Sequence, residues 1–126
     1  MNTARSVLRS SVTLALVAFA AACGPFRMGS AETAAIVFTN DSIDQADVYA
    51  VGPDGAPFRL GTVLAGQTST LTVPATVLGQ GGNINVAARL LAHNRAPQTG
   101  AFSLRTGDQV RVRLPSDEKT LIVLPQ

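Results

Sequence analysis

Side chains able to do chemistry are few here, and their spacing limits what that chemistry is. The chain has one cysteine, Cys23, and one histidine, His93, beside eight Asp and Glu. Nucleophilic catalysis needs a base within hydrogen-bond reach of the nucleophile. His93 sits in His93-Asn94-Arg95-Ala96-Pro97, which reads as a solvated turn. Closed zinc or redox-metal sites take several His or Cys ligands, so no such cofactor is expected. Calcium takes oxygen ligands alone, and Asp41, Asp44 and Asp47 recur every third residue beside Asn40. They lack the terminal glutamate of the defined calcium loop, and Asx turns account for the same spacing. The three therefore stand as a weak calcium site or a turn site. A carboxylate pair of glycosidase type is a matter of position in space, which eight scattered acids leave open. Gly79-Gln80-Gly81-Gly82 lacks the lysine and helix of a phosphate-cradling loop and reads as a flexible crossover.

Residues 1–22 divide into a basic start with Arg5 and Arg9, an apolar stretch from Val12 to Phe19, and three alanines, the zones of an export signal. The apolar stretch is shorter than the roughly 20 residues that span a bilayer as a helix. The run Ala20-Ala21-Ala22-Cys23 resembles the lipobox of bacterial lipoproteins, although its first position is alanine where leucine is usual. That resemblance implies cleavage before Cys23, lipidation of its sulfur and a protein held on a membrane by its acyl chains, since two chains anchor where one does not. A lone thiol in an oxidising compartment invites unwanted pairing, and acylation removes it. The alternative is cleavage at an Ala-x-Ala site, leaving a secreted soluble protein. Gly24, in place of the aspartate that retains lipoproteins in the inner membrane, leans toward the outer membrane.

The basic pI of about 9.3 belongs to the whole chain. Without the leader, eight Lys and Arg face eight Asp and Glu, so the concentrated basic surface of a nucleic-acid binder is not expected. Residues 23–33 read as the lipidated cysteine and a tether reaching at most about 35 Å.

From residue 34 to 126, β-rich runs alternate with turn signals about every ten residues, which predicts an all-β domain: a single antiparallel β-sandwich of seven or eight strands. The runs are 35–39, 47–51, 58–63, 68–73, 83–91, 100–104, 109–114 and 120–124, with 75–82 crossing from one sheet to the other. Alternation is clearest in Val110-Arg111-Val112-Arg113-Leu114, one face core and one wet. Thr68, Thr70 and Thr72 read as a solvent-facing row. Arg89, Arg111 and Arg113 form a basic strip if their strands are neighbours.

Phe38-Thr39-Asn40-Asp41-Ser42, then Ala46-Asp47-Val48-Tyr49 and Leu60-Gly61-Thr62-Val63, resemble the opening of small bacterial envelope β-sandwich domains, similar to transthyretin-like or immunoglobulin-like modules. That resemblance implies a non-enzymatic role. In the strand period, Val48 and Ala50 face one way and Asp47, Tyr49 and Val51 the other, with Tyr49 expected to cap the core. The expectation is a lipid-anchored cell-envelope module that binds or scaffolds, its partners a membrane through Cys23 and another envelope protein. The alternatives are a small envelope hydrolase or carbohydrate-acting enzyme using a carboxylate pair, or a carrier of an apolar ligand between the sheets.

Overall fold

A computed structural model describes residues 32–125. The leader, Cys23 and the tether up to residue 31 lie outside the described residues. Eight strands appear: β1 (Thr33–Asn40), β2 (Ala46–Val51), β3 (Pro57–Val63), β4 (Thr68–Pro74), β5 (Asn83–Leu90), β6 (Phe102–Ser103), β7 (Gln109–Leu114) and β8 (Ile122–Leu124). A single helical turn, α1 (Ala75–Leu78), joins β4 to β5. The strands form two four-stranded sheets, ordered β4-β1-β7-β8 and β3-β2-β5-β6. This is the β-sandwich predicted, and α1 with its glycine loop makes the crossover between sheets.

Period-two burial assembles the core. In β1, Ala34, Ile36, Phe38 and Asn40 point inward, and in β2, Ala46, Val48 and Ala50 do. Ile84, Val86, Ala88 and Leu90 from β5 and Val110, Val112 and Leu114 from β7 complete one continuous apolar cluster. Thr68, Thr70 and Thr72 face solvent as expected.

The architecture departs from the sequence reading in three places. β1 and β7 pair in parallel, from Ala35 with Gln109 to Asn40 with Leu114, so that sheet is mixed and not wholly antiparallel. The expected strand 100–104 shrinks to two residues. Upstream of it the Thr99 hydroxyl accepts the Val86 N–H at 3.0 Å and the Thr99 N–H donates to the Val86 carbonyl at 2.8 Å, so a side chain takes over part of the ladder. Tyr49 does not cap the core; it lies half-buried on the outer face of β2, opposite Ala87.

The topology gathers the loops into two poles. Asn40, Ala46, Val63, Thr68, Leu90 and Leu114 all mark strand ends at one pole, where loops 41–45, 64–67, 91–97 and 115–121 meet. The chain enters at Glu32 at the other pole, beside α1 and loops 52–56 and 104–108. There Gly52 is a close-approach position: an added Cβ would stand 2.2 Å from the backbone oxygen of Val77. Since backbone on both sides must shift to admit a methyl group, Gly52→Ala should cost about 2–3 kcal/mol and lower the melting temperature by about 10–20 °C. Gly100→Ala, with nothing within 4 Å of the new atom, serves as the neutral control in the same melting experiment.

Candidate functional site

The pole opposite the point where the chain enters carries most of the polar side chains singled out from sequence, and a network of buried polar bonds fixes its loops. Asn40 is fully buried at the end of β1. Its amide donates to the carbonyls of Asp44 (2.8 Å) and Val63 (3.1 Å), while its oxygen accepts the Ser42 N–H (3.0 Å). Loop 41–45 and the end of β3 are thereby tied to one side chain, while the Asn40 backbone N–H and carbonyl bond Gln67 and Gly66 of loop 64–67. Asp44, 8% exposed, accepts the N–H of Gln45 at 2.8 Å and that of Ala92 at 2.7 Å, which adds the 91–97 loop.

The three aspartates considered as calcium ligands go to three different partners. Asp41 accepts a hydrogen bond from the Arg113 guanidinium on β7. Asp44 serves backbone N–H groups, and Asp47 lies on the outer face of β2, bonded to Thr62 Oγ1 at 2.6 Å and Arg59 at 3.2 Å. Among the described residues no three His, Cys, Asp or Glu are grouped to hold a metal ion.

His93 is half exposed, yet its Nδ1 stands 3.6 Å from Asp44 Oδ2 and 3.6 Å from Glu118 Oε2. Those separations exceed hydrogen-bond length and lie within ion-pair range. Glu118 was not singled out from sequence. It is 8% exposed and has φ 58°, the sole positive φ of a non-glycine residue among those described. A backbone of this kind costs on the order of 1–3 kcal/mol and is held by its surroundings. Nothing in Pro115-Ser116-Asp117-Glu118 announces that loop 115–121 reaches His93, because only the parallel pairing of β7 with β1 brings them together. The two carboxylates therefore face the same imidazole nitrogen. Three surface depressions are lined by other residues, and none is a closed chamber between the sheets.

The same pole exposes large aliphatic side chains. Ile43 is 88% exposed, Leu64 57% and Leu91 54%, one on each of the three loops tied by Asn40 and Asp44. Single exposed aliphatics are ordinary; here three lie on loops that end at the same pole. Arg89, Arg111 and Arg113 do not form a strip: Arg89 lies on β5 in one sheet and the other two on β7 in the other.

Asp47, on the outer face of β2, gives the fold a pH dependence. The Thr62 hydroxyl holds its carboxyl below the ordinary value of 3.8, partial burial pushes the other way, and Arg59 and Arg89 add further depression. A carboxylate with a depressed folded pKa contributes stability that is present above the unfolded value and is lost as pH falls through the folded one. Acid titration of the fold should therefore show a loss beginning near pH 3.8 that Asp47→Asn removes. Identical acid profiles for the two proteins, by circular dichroism, would show that the Thr62 bond does not select the charged form.

No helix among the described residues is long and apolar enough to cross a membrane. No family model matches this chain, and no curated protein matches it either. Among solved structures it is similar to a protein from Eubacterium rectale determined by NMR, at 14% identity and a TM-score of 0.52 over 75% of this chain and 91% of that one, a likeness of fold.

Proposed function

We propose that this chain is a lipid-anchored cell-envelope module, a β-sandwich of the transthyretin-like or immunoglobulin-like kind that binds or scaffolds another envelope protein without catalysing a reaction. The observation that carries the reading is the apolar tip of Ile43, Leu64 and Leu91 on loops held rigid by Asn40 and Asp44. The tip lies at the pole opposite the point where the chain enters at Glu32, so a protein tethered through Cys23 presents it away from the attachment. Exposed aliphatics on hydrogen-bonded loops suit a preorganised docking surface, because little ordering entropy is lost on contact. Its partner is a protein surface with an apolar pocket for these side chains.

The hydrolase reading has the Asp44 and Glu118 carboxylates in its favour. Both are nearly buried, and Asp44 is committed to two backbone N–H groups, which leaves it poorly placed to exchange a proton with a substrate. Binding is the better-supported function.

The test is a photocrosslinking residue placed at Ile43 of the full chain in its native membranes, with a second placed at Asp54 on the opposite pole as control. A discrete protein adduct from position 43 and none from position 54 supports the reading; adducts of equal pattern from both would overturn it. Labelled palmitate incorporated by the native chain and lost on Cys23→Ser tests the anchor separately.

A further inference from the structure

The outer face of the β3-β2-β5 sheet holds a second feature that the docking pole does not explain. Tyr49 on β2 pairs in register with Ala87 on β5, so the broad ring has the smallest side chain beside it. The step between them opens a depression of about 380 Å³, floored by Tyr49, Val51 and Ala87 and walled by Pro57 and by Ala96 of the 91–98 segment. That segment is fixed against the edge of β5 by the Ala88 N–H to Pro97 carbonyl bond at 3.0 Å and the Leu90 N–H to Arg95 carbonyl bond at 3.1 Å. The cup is therefore built from a sheet and a segment hydrogen-bonded to it.

Its rim carries Arg89 and Arg95, both exposed. Arg59 is paired with Asp47 and Arg113 with Asp41, whereas Arg105 and Arg111, like the two rim arginines, make no described ion pair but line no apolar depression with a second arginine. No described carboxylate stands within ion-pair distance of the Arg89 or Arg95 guanidinium. Asp47 lies opposite Arg89 in the strand register, but its carboxylate is taken by Thr62 and Arg59. The rim thus holds two guanidiniums without an ion-pair partner, Arg89 sharing only the field of the already bonded Asp47, beside an apolar lining with an aromatic ring. Guanidinium forks match carboxylates in geometry, and a tyrosine ring accepts a flat or aliphatic body.

We propose that this cup binds a carboxylate carried on an apolar group, with the acid between Arg89 and Arg95 and the apolar body over Tyr49 and Ala87. The volume lies in the range of small-ligand pockets. Because the cup is open on one side, its affinity belongs in the range of about 10 μM to 1 mM. A free carboxylic acid and the C-terminal residue of a peptide both offer this chemistry.

The chain has one tyrosine and no tryptophan, so tyrosine emission of the purified full chain reports this cup directly. Titration would use 3-phenylpropionate as the free acid and an acetylated peptide ending in phenylalanine with a free carboxylate as the peptide form, each with its carboxamide as control. The expected result is a saturable change in emission with at least one carboxylate, and an affinity about tenfold weaker in Arg89→Gln/Arg95→Gln, the loss of charge-assisted bonds. Whichever probe binds more tightly assigns the source. Both exchanges are at exposed positions, and unchanged melting of the double variant shows the fold intact. No saturable change with either acid up to about 5 mM, carboxamides binding as well as acids, or a double variant that binds as tightly as the native chain would each overturn the proposal.

Discussion

Asn40→Ala should lower the stability of the domain by about 3 kcal/mol, more than loss of any one ordinary hydrogen bond, because the side chain serves three backbone groups from a fully buried position. The Asp44 carbonyl keeps a second donor in Ser42 Oγ at 3.0 Å, whereas the variant loses the side-chain bonds of the Ser42 N–H and the Val63 carbonyl. A buried group left in that state costs about 1–3 kcal/mol, and the vacated amide volume adds to it. At about 4–8 °C per kcal/mol for a domain of this size, the melting temperature should fall by about 12–24 °C. Ser42→Ala, which removes one hydroxyl from the same turn, should fall by much less. A shift for Asn40→Ala within about 4 °C of wild type would mean that the backbone bonds of Asn40 to Gln67 and Gly66, which the variant retains, hold the pole unaided.

The effect should also be local before it is global. Loop 41–45 carries Ile43, and its geometry depends on the Asn40 amide, which also bonds the Val63 carbonyl next to Leu64. Hydrogen exchange in Asn40→Ala should quicken first at Ser42, whose N–H loses its acceptor, and the crosslinking yield from position 43 should drop at temperatures where the sandwich is still folded. A yield that follows only the global melt would separate the docking surface from the buried network.

How much of this was legible beforehand follows from which physics is local. Alternation is local, so Val110-Arg111-Val112-Arg113-Leu114 and the Ile84 to Leu90 row showed their core faces before any pairing was known. Turn chemistry is local too: Asn40-Asp41-Ser42 and Pro53-Asp54-Gly55 closed where expected, the latter through the Gly55 N–H to Gly52 carbonyl bond at 3.0 Å. Pairing partners are not local. The parallel union of β1 with β7 crosses some 70 residues, and neither strand's residues encode direction. The meeting of His93 with Glu118 inherits that difficulty, as does the Ala92 to Asp44 bond, 48 residues apart in sequence. Asn40 was read as the residue that ends a strand, when it is also the buried centre of the pole. The Asn-x-Ser spacing was the available signal, since an Asx turn places the Ser42 N–H on the Asn40 oxygen.

Phe38→Ala and Tyr49→Ala should differ by several kcal/mol, although both remove an aromatic ring from a strand beside the same core. Phe38 is fully buried within β1, at the centre of the apolar cluster, and its truncation leaves a cavity that close-packed neighbours cannot fill. The expected cost is about 3–5 kcal/mol, against a total of about 5–15 kcal/mol for a small domain, so the variant should be marginally folded at best. Tyr49 points outward between Ala87 and Arg59 in the strand register, and its removal takes away contacts on the outer face alone; a cost of about 1 kcal/mol is expected. Denaturant midpoints of the two variants decide the matter. Near-equal losses would put the tyrosine ring in the interior and abolish the cup proposed on the outer face. A wide gap leaves Tyr49 a side chain the fold does not need, set beside two arginines and free to be used by a ligand.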